Sequence, residues 1–291
     1  MKPGVIFPQT EIGVIPGDIA KFAAESEALG YRQIVAYDHI VGVDVARRPD
    51  FVGPFNSTHC FHETLTLFAF MAACTSSIRL MTGVMVLPQR QTALVAKQAA
   101  EVDVLSGGRL TLGVGVGWNK AEYDAQQADF STRGRRFEEQ IMLLRELWTA
   151  DAVDFEGTFD RIEASGINPL PVQRPIPLWL GTSSTKLLER VARLGDGWIP
   201  FDSDPSLAAP DIVMLKSLLR EHRPNEADEF PIEGNLVLRE WPRAAWKETI
   251  HAWAAAGATQ VSVACTGLGI VGVDEHLDLL AEVITLFDGV K

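Results

Sequence analysis

The sequence predicts an α/β protein built as a single (β/α)8 TIM barrel over residues 1–291, and three observations carry that expectation. Short β-branched or aliphatic runs alternate with longer helical patterns along nearly the whole chain, the signature of βα units around a parallel sheet. The alternation yields eight strand-helix pairs, the number that closes a barrel. No composition shift, internal repeat or low-complexity tract divides the 291 residues, and a barrel of this kind runs to about 250 residues as one unit.

The first strand is expected over Gly4 to Phe7, followed by a helix from about Gly17 that ends at Gly30. The second strand is Gln33 to Tyr37, with its helix beginning near Glu63. Ile78 to Val86 forms the third and leads into a helix with Thr92 as N-cap, closed at Ser106-Gly107-Gly108, whose Val95, Ala99 and Val102 share one face. The fourth is Leu110 to Val114. A helical insertion follows around Asn119 to Ala128, then a helix from Arg135 to Trp148 whose Phe137, Ile141, Leu144 and Trp148 must be buried.

Leu178 to Leu180 is the fifth strand, with a helix from Ser184 to Leu194. The sixth is Gly197-Trp198-Ile199, with a helix near Asp211 to His222. The seventh, Ile232 to Leu238, precedes a helix from Arg243 to Ala256, and the eighth, Gln260 to Cys265, a closing helix from Asp274 to Phe287. Two long excursions, His39 to Phe61 and Phe155 to Pro177, follow the second and fourth units. Loops of this length act as lids, binding loops or packing extensions. Function is expected where strands end, because βα loops build the active sites of this fold.

Composition narrows the partners. With 47% hydrophobic residues the chain is globular, and Lys+Arg 26 against Asp+Glu 38 gives a net charge of −12, which repels nucleic acid and anionic lipid. A small-molecule substrate is expected instead. Pro3 and Pro8 interrupt any leader-like apolar run, and Cys60, Cys74 and Cys265 are isolated thiols, so a soluble cytoplasmic protein is expected. His59-Cys60-Phe61-His62 lacks a second cluster that would complete a metal site, so no metal is expected.

Four strand ends carry candidate chemistry. Tyr37-Asp38-His39 places an ionisable pair at the barrel mouth, readable as a proton donor with its orienting acid or as a capping Asp beside a core His. Gly83 interrupts the apolar run Leu80 to Pro88, marking either a bulge where something flat approaches or a simple kink. Gly113-Val114-Gly115-Val116-Gly117-Trp118 has its third glycine one place early for a dinucleotide fingerprint, so a Rossmann site is not expected. Gly181-Thr182-Ser183-Ser184 before a helix offers a phosphate cradle, or merely a cap. Arg133, Arg135 and Arg136 form a positive patch, open to an anionic tail or to pairing with Glu138 and Glu139. Paired strand-end acids are confined to Asp38 and Glu240.

Taken in order, Asp38-His39, Leu80 to Pro88, Gln98 to Gly117, Arg133 to Glu139 and Leu180 to Trp198 resemble the bacterial luciferase-like monooxygenase superfamily, and more narrowly its F420-dependent oxidoreductases. The resemblance runs from Gly4 to Phe287. It implies a barrel binding F420 or FMN at the C-terminal face, with the tricyclic ring over a third-strand bulge that in relatives commonly holds a non-proline cis peptide, matched here by Gly83-Val84. It further implies Thr82, Gly83, Val84 and Gly115 around the ring, Gly181, Thr182 and Ser183 at the phosphate, and His39 near the reactive edge with Asp38 orienting it. The sugar-phosphate dehydrogenase branch has a catalytic glutamate where this chain has Trp118, so a glucose-phosphate substrate is not expected, and the indole suits an apolar or planar substrate. The expected activity is hydride exchange between F420 and a small organic substrate. An FMN-dependent monooxygenase using oxygen and a non-catalytic flavin-binding protein are the alternatives. A homodimer is expected from the resemblance alone.

Overall fold

The computed structural model describes residues 1–290. Its strands are β1 (Lys2–Ile6), β2 (Gln33–Ala36), β3 (Arg79–Thr82), β4 (Met85–Val86), β5 (Leu110–Gly115), β6 (Val153–Glu156), β7 (Arg161–Ser165), β8 (Leu178–Gly181), β9 (Gly197–Ile199), β10 (Glu233–Val237) and β11 (Gln260–Ala264). The α-helices are α1 (Gln9–Ile12), α2 (Pro16–Ala28), α3 (Thr64–Ala73), α4 (Thr92–Ser106), α5 (Lys120–Ala125), α6 (Arg133–Thr149), α7 (Leu188–Leu194), α8 (Pro205–His222), α9 (Trp246–Ala256) and α10 (Val273–Val283).

Parallel strands run in the order β10-β11-β1-β2-β3-β5-β8-β9, with β4 continuing the β3 position along β5. A parallel bridge between Trp198 and Ile232 joins β9 to β10 and nearly closes the ring. All eight expected barrel strands are present, which is the predicted TIM-barrel architecture. Most of the core lies between sheet and helices, and the expected α6 face of Phe137, Ile141, Leu144 and Trp148 is buried there. A smaller cluster of Ile6, Val35, Met81, Trp179, Ile199 and Ala264 fills the barrel interior. This division follows from strand alternation, which sends successive side chains to opposite faces.

Several boundaries differ from expectation, each for a local reason. The third strand is not continuous from Ile78 to Val86; it stops at Thr82 and resumes at Met85, with a cis peptide between Gly83 and Val84. Gln91, not Thr92, is the N-cap of α4, because the Thr92 hydroxyl donates to Asp160 Oδ2 at 2.8 Å. The helix ends as predicted at Gly107, whose φ of +69° suits a residue without a Cβ. Helix α8 starts at Pro205 rather than Asp211, since Asp204 accepts from the Ser206 amide and Pro205 supplies a preformed first turn.

The excursion from Phe155 to Pro177 is not simply a loop. Its start belongs to an antiparallel hairpin of β6 and β7, whose turn is gripped by Glu139 through the amides of Thr158, Phe159 and Asp160 at 2.7, 2.7 and 2.8 Å. Glu139 therefore serves the hairpin rather than the arginines beside it. Among the described residues no helix is long and apolar enough to cross a membrane.

Candidate active site at the C-terminal mouth of the barrel

Strand β2 delivers Asp38 and His39 to the mouth, but they serve different partners. The Asp38 side chain is 1% exposed; it accepts from Arg90 Nη2 at 2.7 Å, the Val86 amide at 3.1 Å and the Thr64 hydroxyl at 3.5 Å. Burial pushes its pKa up, and the Arg90 guanidinium opposes that shift. Arg90 also holds Glu63 Oε1 at 3.0 Å. The expectation that Asp38 orients His39 is corrected here: neighbouring strand side chains leave on opposite sides, and Asp38 fastens β4 to α3 instead.

Glu122 takes the place intended for Asp38. Its Oε1 lies 3.0 Å from His39 Nδ1 and 3.2 Å from the Ile40 amide, and its side chain is 2% exposed against 14% for His39. A carboxylate can only accept at neutral pH, so Nδ1 carries the proton and Nε2 is left as the free basic nitrogen. Helix α5 aims the carboxylate: Asn119 caps it through the Ala121 amide at 3.1 Å, and the Tyr123 hydroxyl donates to Val116 O at 2.6 Å. Position 118 remains a tryptophan, but the next helix turn supplies the acid that the sequence reading found missing there.

The excursion from His39 to Phe61 folds over the imidazole. Phe55 and Phe61 stand with ring centroids 4.9 and 4.7 Å from His39, and Trp118 at 6.4 Å. Trp118 is 46% exposed and lies 6.0 Å from Phe51, so its indole shapes the rim. Of the two histidines in the Cys60 segment, His62 contacts Gly13 O and His59 Nδ1 accepts from the Asn56 amide at 3.2 Å. Among the described residues no group of three or more His, Cys, Asp and Glu is placed to hold a metal ion.

His39, Phe55 and Phe61 line one small pocket, and a separate open cavity, bordered by Tyr37, descends into the barrel. Ile6, Val35, Met81, Ile199 and Phe201 line it, with Gly83 at one wall and Tyr37, Asn235 and Glu233 as polar points. Burial raises the Tyr37 phenol to about 12, so it remains a hydrogen-bond donor at neutral pH. Apolar walls with a few polar points are the character of small-molecule sites.

The bulge beside the cavity rests on glycines. A Cβ at Gly113 would lie 1.9 Å from Thr82 O, one at Gly115 2.8 Å from Val84 Cγ2, and one at Gly181 2.7 Å from Val84 Cγ1. The Thr82 hydroxyl donates to Gly113 O at 2.6 Å, and the Gly83 amide to Ala36 O at 2.8 Å. Gly115 and Gly181, both expected at the cofactor, thus make room for Val84. Beyond them Thr182 Oγ1 accepts from the Ser184 amide at 3.0 Å, leaving its hydroxyl hydrogen able to donate, and Ser183 is exposed. Ser184 makes no side-chain cap, and the chain enters α7 through a 3-10 turn at Thr185–Leu187. Hydroxyl groups and a glycine at this turn fit a phosphate.

The arginine patch is dispersed. Arg133 stacks on Phe130 at 3.7 Å, Arg136 donates to Arg90 O at 3.1 Å, and Glu138 pairs with Arg190 and Arg193 at 2.8 and 3.4 Å. Neither sequence reading of the patch describes that arrangement. Glu240, the other strand-end acid, accepts a hydrogen bond from Ser203 at the cavity rim. Glu122 and Arg90 were missed by sequence reasoning; the Asn119 cap signal before a short helix was the one cue to Glu122.

Residues 6–272 match the family described as luciferase-like monooxygenase. An uncharacterised protein of Mycobacterium tuberculosis (strain H37Rv) is 35% identical over 204 residues, 68% of this chain and 70% of the relative. The FMNH(2)-dependent dimethylsulfone monooxygenase of Pseudomonas putida is 34% identical over 139 residues, 46% of this chain and 38% of that enzyme. Among solved structures, an F420-dependent secondary alcohol dehydrogenase in complex with an F420-acetone adduct superposes with a TM-score of 0.78 at 15% identity, covering 98% of each chain.

Proposed function

The chain belongs to the luciferase-like monooxygenase family, and from that premise we propose that it is an F420-dependent oxidoreductase exchanging a hydride with a small organic substrate. The observation that carries this reading is the imidazole of His39, fixed by Glu122 through Nδ1 at the barrel mouth, two residues beyond the Tyr37 that lines the apolar cavity. Thr82, Gly83, Val84 and Gly115 would take the ring, with Gly181, Thr182 and Ser183 at the phosphate. Bound F420 supplies a carbon centre for hydride that reacts poorly with oxygen.

His39 Nε2 accepts the proton when an alcohol-like substrate is oxidised, and returns it in the reverse direction. Glu122 holds the tautomer that keeps Nε2 available and stabilises the imidazolium that forms. Phe55, Phe61 and Trp118 exclude water around that nitrogen and offer an apolar or planar substrate face.

A second reading is an FMN-dependent monooxygenase, favoured by the likeness to the dimethylsulfone monooxygenase. A third is a flavin-binding protein without turnover. Fluorescence titration with F420 and with FMN, followed by oxygen-uptake assays, separates them. F420 binding without oxygen uptake is expected; FMN binding with uptake supports the second reading, and binding without turnover over a broad substrate panel the third. Light scattering on the purified chain tests the homodimer that is part of this proposal.

A further inference from the structure

The opposite end of the barrel also holds an open cavity, at the N-terminal ends of the strands. Sheet register sets Arg79, the first residue of β3, beside Gln33 of β2 at its edge. The Arg79 side chain is half-buried, and its Nη2 donates to Thr111 Oγ1 at 2.7 Å and Leu110 O at 3.4 Å. Both partners are neutral, and no carboxylate pairs with this guanidinium among the described residues. Nε and Nη1 make no hydrogen bond among the described residues, and Arg79 lines the cavity.

Asp103 is the carboxylate whose charge reaches Arg79, but it is engaged by the Gln173 amide at 2.9 Å and Gln173 Nε2 at 2.7 Å and forms no ion pair with the guanidinium. Lys2 and Arg32 stand at the rim and form no ion pair among the described residues. Of the two acids in the lining, Asp196 is held by Arg145 Nη2 at 2.9 Å and by the Leu178 amide at 2.9 Å, while Glu229 is exposed. Deeper along the axis, the buried Glu233 accepts from Gln33 and Gln260, and desolvation raises its pKa towards the neutral acid. A half-buried guanidinium without an ion-pair partner is under-satisfied, and its planar edge matches two oxygens of a carboxylate or phosphate.

We infer that the N-terminal mouth of this barrel is a binding site for a small oxyanion, of the phosphate or carboxylate class, seated on the free edge of Arg79. The anion completes the hydrogen bonding that Thr111 and Leu110 begin, and Lys2 and Arg32 draw it in across an otherwise acidic surface. The site lies at the end of the barrel remote from His39 and stands whether or not the redox reading holds.

The test is calorimetric titration of the purified chain with inorganic phosphate and, separately, with succinate, each against chloride at matched ionic strength. Saturable binding of one equivalent of phosphate or succinate is expected, and which of them binds identifies the anion class. Affinity is expected to fall about tenfold in Arg79→Lys, which keeps the charge but loses the fork. It should be unchanged in Thr182→Ala, which disables the other phosphate-binding candidate. Thr111→Val, which frees the guanidinium from its hydroxyl partner, provides a second variant if Arg79→Lys does not fold, with a several-fold loss expected. Absence of saturable binding to the wild-type chain overturns the inference. So does an affinity left unchanged by Arg79→Lys or, where that variant does not fold, by Thr111→Val, or binding lost in Thr182→Ala.

Discussion

Glu122 Oε1 lies 3.0 Å from His39 Nδ1 although 83 residues separate them in sequence. The contact joins the loop after the second strand to the first helix after the fourth barrel strand, and it is made at the barrel mouth by two side chains largely withdrawn from water. Such a pair fixes which imidazole nitrogen can handle a proton.

Glu122→Gln keeps the shape but lets the side-chain amide offer a donor to Nδ1, so the tautomer is no longer enforced. Turnover with the bound cofactor is expected to fall about tenfold to a hundredfold, less than the roughly 10²–10⁴-fold contribution at stake in His39→Ala. Cofactor affinity is expected to be unchanged in both. Steady-state kinetics with parallel binding titrations, and nitrogen NMR of the imidazole, check it; equal tautomer populations in wild type and variant would refute the assignment.

Arg90→Met leaves Asp38 buried without its cation and releases Glu63. A loss of about 3–5 kcal/mol is expected from chemical denaturation, because an uncompensated charge stays inside. Adding Asp38→Asn removes that charge, so the double variant is expected to lose about 0.5–3 kcal/mol less than the two single losses combined. Strict additivity would show that Asp38 and Arg90 do not act as a pair.

Gly113→Ala and Gly83→Ala separate backbone from side-chain crowding. The first would set a Cβ 1.9 Å from Thr82 O, the second 2.4 Å from the Val35 Cγ1 methyl. Only the methyl can turn aside. Gly113→Ala is expected to exceed the usual overpacking cost of about 1–3 kcal/mol, and Gly83→Ala to stay within it. Thermal unfolding of the two variants decides, and the reverse order would count against the packing described for the bulge.

Glu27 gives a pH signature far from the mouth. Burial raises its pKa, but the amides of Ile78, Ser77 and Ser76 outweigh that and hold it at about 2, below its ordinary 4.5. The carboxylate therefore stabilises the fold above about pH 4.5, and this contribution is lost as pH falls towards 2. Glu27→Gln is expected to lose about 1–3 kcal/mol at neutral pH, with a shallower decline between pH 4.5 and 2. Denaturant melts across that range measure both slopes.

The repeating pattern of this chain was enough to specify the barrel, because strand and helix periodicities are local properties of adjacent residues. Gln33 to Tyr37, Gly197 to Ile199 and the α6 face were legible for that reason. Asp204-Pro205 was a readable helix start that the expected onset at Asp211 overlooked, whereas the β6–β7 hairpin depends on Glu139 meeting amides from outside its own helix.

At the mouth, the residue types were visible but their partnerships were not. His39, Gly83 and Thr182 could be singled out from sequence because strand ends of such barrels converge on one face. That Asp38 turns to Arg90, that Glu122 rather than Asp38 holds His39, and that Gly115 and Gly181 seat Val84 were decided only by the folded chain. Hydrogen bonds and close contacts depend on distances between segments far apart in sequence, and ring closure of the sheet sets those distances.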